Sequence, residues 1–110
     1  MGLWSKGVDR SLTGKYRLED GDIFIWVNEI CDEITRQWHG TCSYENQITP
    51  VGHMMIIRTD DWAMSFRIDN KTSKVHLLAM VKHGIENLIN KAQWNIKAKL
   101  ERLHFNNIHV

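Results

Sequence analysis

Residues that cross-link or interrupt a chain are scarce in this sequence of 110 residues. It contains two cysteines and one proline, and no stretch rich in proline, glycine or serine divides it. Two cysteines exclude a disulfide framework, because a chain of this length can bury enough apolar surface to fold without one. We expect Cys31 and Cys42 to be reduced, with Cys42 the more exposed, and residues 1–110 to form one domain.

Long hydrophobic runs and the signatures of common enzymes are also missing. No uninterrupted apolar run approaches the roughly 18 residues of a membrane span, and the chain does not begin with a basic segment followed by a hydrophobic block. Phosphate-binding glycine loops and the motifs of serine and cysteine hydrolases do not occur. These absences favour a cytoplasmic protein with no membrane partner and no cofactor. They favour a non-catalytic role and leave an enzyme open.

Histidine is more frequent, with six residues, but its spacing does not define a metal site. His39 precedes Cys42 by three positions, and His53 follows a loop later. Zinc sites combine paired close spacings, and no second pair completes this set. We therefore predict no metal site.

The net charge of +1 hides an uneven distribution along the chain. Residues 1–66 hold six Lys or Arg and ten Asp or Glu, whereas residues 67–110 hold eight and three. A basic half can bind an acidic partner, but basic and acidic elements that pack side by side produce the same asymmetry. We favour packing, because the basic half also contains acids and has no dense cluster of Lys and Arg.

The apolar residues in the first half predict a helix. They recur at steps of three and four residues, which is the period of an amphipathic helix. Asp20 and Asp22 supply hydrogen-bond acceptors and negative charge at its beginning, and Gly40 can end it with a left-handed cap. We interpret residues 1–19 as an irregular arm. The apolar positions are Ile23, Trp26, Val27, Ile30, Ile34 and Trp38.

A β-hairpin is predicted after this helix. Residues 41–53 are polar and include the only proline, so we interpret them as a loop. An apolar run at residues 54–59 and an alternating segment at residues 62–68 are typical of strands, and Asp60–Asp61 between them forms a tight turn.

Residues 75–80 fit either a third strand or the beginning of the last helix. One helix over residues 74–103 would be about 45 Å long, and Gly84 would weaken it near the middle. We therefore prefer a strand, followed by a helix from about Lys82. The order α-β-β-β-α predicts an α+β fold with two helices against a small antiparallel sheet.

The last helix carries two apolar stripes. At about 100° per residue, the stripe from Ile85 to Leu103 can cover the core. Nearly opposite lie Trp94, Ala98 and Phe105, with Lys91 and Arg102 at the edges of this second stripe. One core accounts for the first stripe only, so we expect these five residues to form a binding surface.

The second stripe favours a small interaction or regulatory protein. Trp and Arg contribute much of the binding energy in interfaces, and homodimers are the commonest assemblies. We predict that the outer face of the last helix binds a protein partner or a second copy of the chain. In the alternative interpretation, Trp94 packs within the molecule under the N-terminal arm, against Leu3 or Trp4.

Nucleic-acid binding is the second hypothesis. The last helix carries basic residues that can contact phosphates, and Trp94 can stack on an unpaired base. The predicted order of elements resembles that of double-stranded-RNA-binding domains, although residues 82–86 lack the basic motif with which their last helix begins. That resemblance implies a nucleic-acid partner. The basic residues are Lys71, Lys74, Lys91, Lys97, Lys99 and Arg102.

A metal-dependent nuclease is the third hypothesis. Asp61, followed by Asp69 and Lys71, resembles the D…(D/E)xK pattern of restriction-endonuclease-like enzymes. The resemblance implies two carboxylates that hold a divalent cation and a lysine that helps to activate water. Both aspartates also fall where turns are predicted, so turn formation explains them equally well.

Overall fold

This computed structural model describes residues 22–50 and 52–110. These residues contain three helices and a three-stranded sheet. The α+β class and the antiparallel sheet predicted from the sequence are confirmed. The predicted arm at residues 1–19 lies outside the described residues. In chain order the elements are α1 (Asp22–Gln37), β1 (Ser43–Thr49), β2 (Gly52–Arg58), β3 (Ala63–Ile68), α2 (Lys74–Lys91) and α3 (Trp94–Glu101).

The sheet presents one face to the helices. Its strands lie in the order β1-β2-β3, and both pairs are antiparallel. Tyr44, Ile57 and Met64 are aligned across the three strands, and all three are buried. The Phe24 ring of α1 lies 6.2 Å from the Tyr44 ring, and α2 approaches Met64 at Gly84. Both helices therefore cover the same face of the sheet.

Helix α1 follows its predicted pattern. Val27, Ile30 and Ile34 are fully buried, and Trp38 continues the stripe just beyond the end of the helix. Gly40 has a φ angle of +131°, which L side chains rarely adopt. The period of three and four residues thus located both the helix and its buried face.

The predicted loop at residues 41–53 was wrong, because seven of its residues form β1. Two polar residues of this strand are buried, and each contacts a polar side chain of β2. The side-chain oxygen of Asn46 lies 3.1 Å from Nδ1 of His53. Glu45 forms an ion pair with Arg58, with 2.6 Å between the carboxylate oxygen and the guanidinium nitrogen. Cross-strand partners satisfy these polar groups, so polarity did not indicate solvent exposure here.

The preferred strand at residues 75–80 was also wrong, since these residues begin α2. Ser73 caps the helix, because its hydroxyl oxygen accepts a hydrogen bond from His76 N at 3.0 Å. Gly84 lies inside α2 beside Met64. A Cβ atom at that position would be 2.8 Å from Met64 Sδ. The glycine that argued against a long helix therefore permits the helix to approach β3.

The C-terminal residues pack back onto α1. Gln37 donates to the carbonyl of His104 at 2.7 Å, and His104 N donates to the Gln37 side chain at 3.0 Å. Phe105 and Ile108 are buried in the same core as the sheet and helices. These contacts hold the segment after α3 in place without further regular structure.

Candidate functional site

A break between α2 and α3 places a tryptophan in solvent. Ala92 and Gln93 have extended backbone conformations, with ψ angles of 154° and 159°. Helix α3 therefore begins at Trp94 with a new axis. The Trp94 side chain is 81% exposed. Tryptophan is enriched at interfaces, so an indole ring with this exposure directs attention to this helix.

Helical spacing determines which residues share the outer face of α3. Intervals of four residues separate Trp94, Ala98 and Arg102, so their side chains lie on the same side of α3. Leu100 points the opposite way and is buried in the core. Trp94 and Arg102 are exposed, and Ala98 is half-buried. Lys91, the last residue of α2, is exposed on the other side of the break.

Phe105 does not belong to this face, which corrects its predicted position. The side chain is 8% exposed and forms part of the core. Helix α3 ends at Glu101, and the chain then turns toward α1, where the Gln37 amide holds His104. The prediction assumed one helix through residue 105. We call Lys91, Trp94, Ala98 and Arg102 the Trp94 surface; a binding role for it stays a prediction.

Positive charge is concentrated around the Trp94 surface. Residues 91–102 contain four cationic side chains and one carboxylate, that of Glu101. Helix α3 is only about 12 Å long, so these charges lie close together. The sequence already shows these four cations within twelve residues; the structure adds that three of them lie on or at the end of α3 and that Lys91 ends α2, on the other side of the break. The cations are Lys91, Lys97, Lys99 and Arg102.

Two buried tryptophans fix α3 to the rest of the molecule. The Trp38 and Trp62 rings meet edge to face, with centroids 5.7 Å apart. Trp38 Nε1 donates to a carboxylate oxygen of Asp61 at 2.8 Å, and Lys99 Nζ lies 4.1 Å from the centroid of the Trp38 ring. Lys99 is therefore engaged with the aromatic cluster, whereas Lys91, Lys97 and Arg102 extend into solvent.

An open groove of about 350 Å³ lies beside α3. It runs between the end of α2, the break, the inner side of α3 and the turn that precedes β3. Asp61, Lys91 and Gln93 supply its polar lining. Apolar side chains supply the rest, namely Trp62, Leu88, Ala92, Ile96 and Leu100.

Sequence reasoning missed this groove, and no signal in the chain would have revealed it. The break contains neither glycine nor proline, which are the residues that commonly mark the end of a helix. The apolar positions of residues 81–105 also keep helical spacing across the break. The groove forms because residues 81–105 contain the end of one helix and the whole of a second, rather than one continuous helix.

The residues of the nuclease hypothesis are not brought together. Asp61 precedes β3 and Asp69 follows it, and this six-residue strand separates them by roughly 20 Å. Asp69 Oδ1 accepts a hydrogen bond from Lys71 N at 2.8 Å, and Asp61 accepts one from Trp38. One divalent cation cannot bridge carboxylates so far apart. Turn formation accounts for Asp69 and Lys71.

The other candidate residues of the sequence lie in structural positions. Cys42 is buried rather than exposed, and its backbone N donates to Thr35 Oγ1 at 3.0 Å. Within residues 22–50 and 52–110, no three His, Cys, Asp or Glu side chains are grouped closely enough to hold a metal ion. None of the helices in the described part of the chain is long and apolar enough to cross a membrane.

Two titratable groups of the sheet, one on β1 and one on β2, are buried. Burial raises the pKa of Tyr44 to about 12 and lowers the pKa of His53. Both groups are therefore neutral near pH 7. The His53 ring lies within hydrogen-bond distance of Asn46, which is itself buried. These contacts stabilise the interior and present no reactive group at the surface.

Comparisons with protein-family models, with curated protein sequences and with solved structures find no match to this chain.

Proposed function

We propose that this protein is a non-catalytic binding module that recognises another protein through the Trp94 surface. The observation that carries the proposal is the exposure of Trp94, 81% of whose side chain is in water. Covering an indole ring with a partner removes a large apolar area from water, and tryptophan is enriched among residues that dominate interfaces. Arg102 is exposed about two turns further along the same face, and Lys91 is exposed at the end of α2, so both can form ion pairs at the rim of a contact centred on the ring.

The charge of this surface favours a different protein over a second copy. A symmetric dimer built on α3 would bring the basic surface of one copy against the same basic surface of the other. Like charges brought together in an interface oppose association. A partner with acidic groups has complementary charge and can approach faster because of electrostatic attraction. We therefore expect the protein alone to be a monomer, which size-exclusion chromatography with light scattering will measure.

Nucleic-acid binding is the second candidate, and the same cations favour it. An exposed aromatic ring among lysines and arginines is a common arrangement for binding single strands. The groove beside α3 supports the protein partner instead, because its apolar lining offers few donors for phosphates or base edges. Anisotropy titrations with a 20-nucleotide oligothymidine and a 20-base-pair duplex, at two salt concentrations, separate the two candidates. Tight, salt-dependent binding that Lys97→Ala weakens would favour nucleic acid.

The proposal is tested by selecting binders from a phage-displayed library of random twelve-residue peptides. We expect the wild-type protein to enrich peptides that bind the Trp94→Ala variant at least 30-fold more weakly, which corresponds to about 2 kcal/mol. Ile25→Ala is the matched control, because Ile25 is another exposed apolar residue on a different helix. Selection that enriches no peptide, or peptides that bind both variants equally, would contradict the proposal.

A further inference from the structure

We infer that the groove beside α3 receives an apolar side chain from an acidic segment of the partner. This inference rests on the proposed function, because it assumes that a protein docks on the neighbouring Trp94 surface. Gln93 lines the groove and is followed directly by Trp94. One extended segment that crosses the N-terminal end of α3, from its outer face to its inner side, can therefore cover the indole ring and reach into the groove.

The size and lining of the groove suit a side chain. Its volume of about 350 Å³ is at the lower end of the range for small-molecule sites. Leu88, Ala92 and Ile96 are half-buried along its walls, so part of their apolar surface still contacts water. An aliphatic or aromatic side chain that enters would cover this surface, which is the source of the expected affinity.

The walls of the groove are fixed before a partner arrives. Leu100 is almost fully buried, and Trp62 packs edge to face on Trp38. The hydrogen bond from Trp38 to Asp61 holds the turn that forms one side of the groove. A preformed site loses little conformational freedom on binding, so even one inserted side chain can contribute measurably.

The surrounding charges specify an acidic segment. Lys91 lies on the groove itself, and Lys97 and Arg102 are exposed on the adjoining helix. Three carboxylates are also nearby: Glu101 on α3, Asp61, which lines the groove and accepts the hydrogen bond of Trp38, and Asp60, which precedes it in the turn and has Oδ2 on the Gly40 side. Carboxylates on both sides of the inserted residue would therefore be attracted to this region. A basic segment or a second copy of α3 would be repelled.

The experiment uses the peptides enriched by the selection described above and measures their affinity by fluorescence anisotropy. We expect these peptides to carry net negative charge and at least one Leu, Ile or Phe. Ala92→Leu partly fills the groove and is expected to weaken binding at least tenfold. Replacing the inserted apolar residue of the peptide by Ser is expected to have a similar effect. The two changes combined should weaken binding by much less than the product of the single effects, because they remove the same contact.

Charge is tested in parallel with a matched pair of variants. Lys91→Glu should weaken binding at least tenfold in low salt, whereas Lys71→Glu makes the same change in the turn after β3 and should have little effect. Thermal unfolding verifies that Ala92→Leu and Lys91→Glu remain folded. A further measurement follows the methyl resonances of Leu88 and Ile96, which should shift when the peptide is added.

The outcomes distinguish this inference from the proposed function. Peptides that lose affinity with Trp94→Ala but bind Ala92→Leu and wild type equally would overturn the groove inference and leave the binding module standing. Enriched peptides with net positive charge would overturn the acidic partner. If selection yields no peptide that depends on Trp94, both proposals are wrong.

Discussion

The ammonium group of Lys99 lies 4.1 Å from the centroid of the Trp38 ring, so α3 contacts the end of α1 through a cation–π interaction. The ring faces Lys99 while its Nε1 donates to Asp61. One buried tryptophan thus connects the last helix, the first helix and the turn before β3. The positions of α3 and of the groove beside it depend on this residue.

Removing the Lys99 charge should destabilise the fold modestly. Lys99→Met keeps the length of the side chain but loses the attraction to the ring, and we expect a loss of about 1 kcal/mol in the free energy of unfolding. Lys97→Met is the control, because Lys97 is exposed on the same helix. Urea unfolding at equilibrium measures both variants. Equal midpoints for the two would show that the contact with Trp38 contributes nothing measurable.

Acidification should destabilise the protein through His53. Burial lowers the pKa of this residue below its ordinary value of 6.5, so the unfolded state takes up the proton first. The stabilising effect of neutral His53 is complete above pH 6.5 and declines as the pH falls below that value toward the lower pKa of the folded state. His53→Gln should reduce this part of the pH dependence.

The matched control is His39→Gln, which makes the same substitution at an exposed histidine that follows α1. Its unfolding free energy should follow that of the wild type between pH 7 and pH 5. If His53→Gln retains the full loss of stability over this range, other groups cause the loss.

A methyl group at Gly84 should be unfavourable despite the better helix propensity of alanine. Gly84→Ala gains up to about 1 kcal/mol from propensity in a helix interior. The new Cβ would lie 2.8 Å from Met64 Sδ, and displacing a buried methionine costs about 1–3 kcal/mol. We expect a net loss of stability in chemical denaturation.

The sign of this effect should depend on Met64. In a Met64→Ala background the space beside Gly84 opens, so Gly84→Ala should then stabilise the protein relative to that background. A destabilising effect in both backgrounds would show that the close approach of Met64 is not the cause.

Gln37 should hold the C-terminal segment. Gln37→Ala removes both hydrogen bonds to the His104 backbone, and we expect a loss of about 1–2 kcal/mol and faster amide exchange at residues 104–108. Gln93→Ala is a matched control, because Gln93 precedes α3 without a side-chain capping bond. Unchanged exchange in Gln37→Ala would indicate that Phe105 and Ile108 anchor the segment alone.

The sequence predicts an element well where one face is buried with a regular period. Val27, Ile30 and Ile34 identified α1, and alternation from Trp62 to Ile68 identified β3 together with the turn before it. In both cases the burial pattern has the period of the element itself, so hydrophobicity reports the structure directly.

The predictions from sequence were wrong where tertiary contacts determine the local conformation. The polar residues of β1 resemble a loop, yet Asn46 and Glu45 are buried against partners on β2 that a local pattern does not reveal. Gly84 weakens a helix by propensity but is needed here for contact with Met64. Each local preference was overruled by a neighbour distant in sequence.

The candidate site was predictable only in part. The second apolar stripe placed Trp94 and Arg102 on one outer face, because their spacing of eight residues is about two helical turns. Phe105 was misplaced, and the groove was missed, because both depend on where the helix is interrupted. An interruption without glycine or proline leaves no mark in the periodicity.

The extended residues Ala92 and Gln93 also divide the structure into two parts in which substitutions have different effects on folding. Buried residues of α2 and the sheet must suit one another, whereas the outward positions of α3 contact mainly water. Substitutions at those outward positions can therefore accumulate with little penalty to folding. A few codon changes can therefore alter the chemistry of this exposed face without repacking the core.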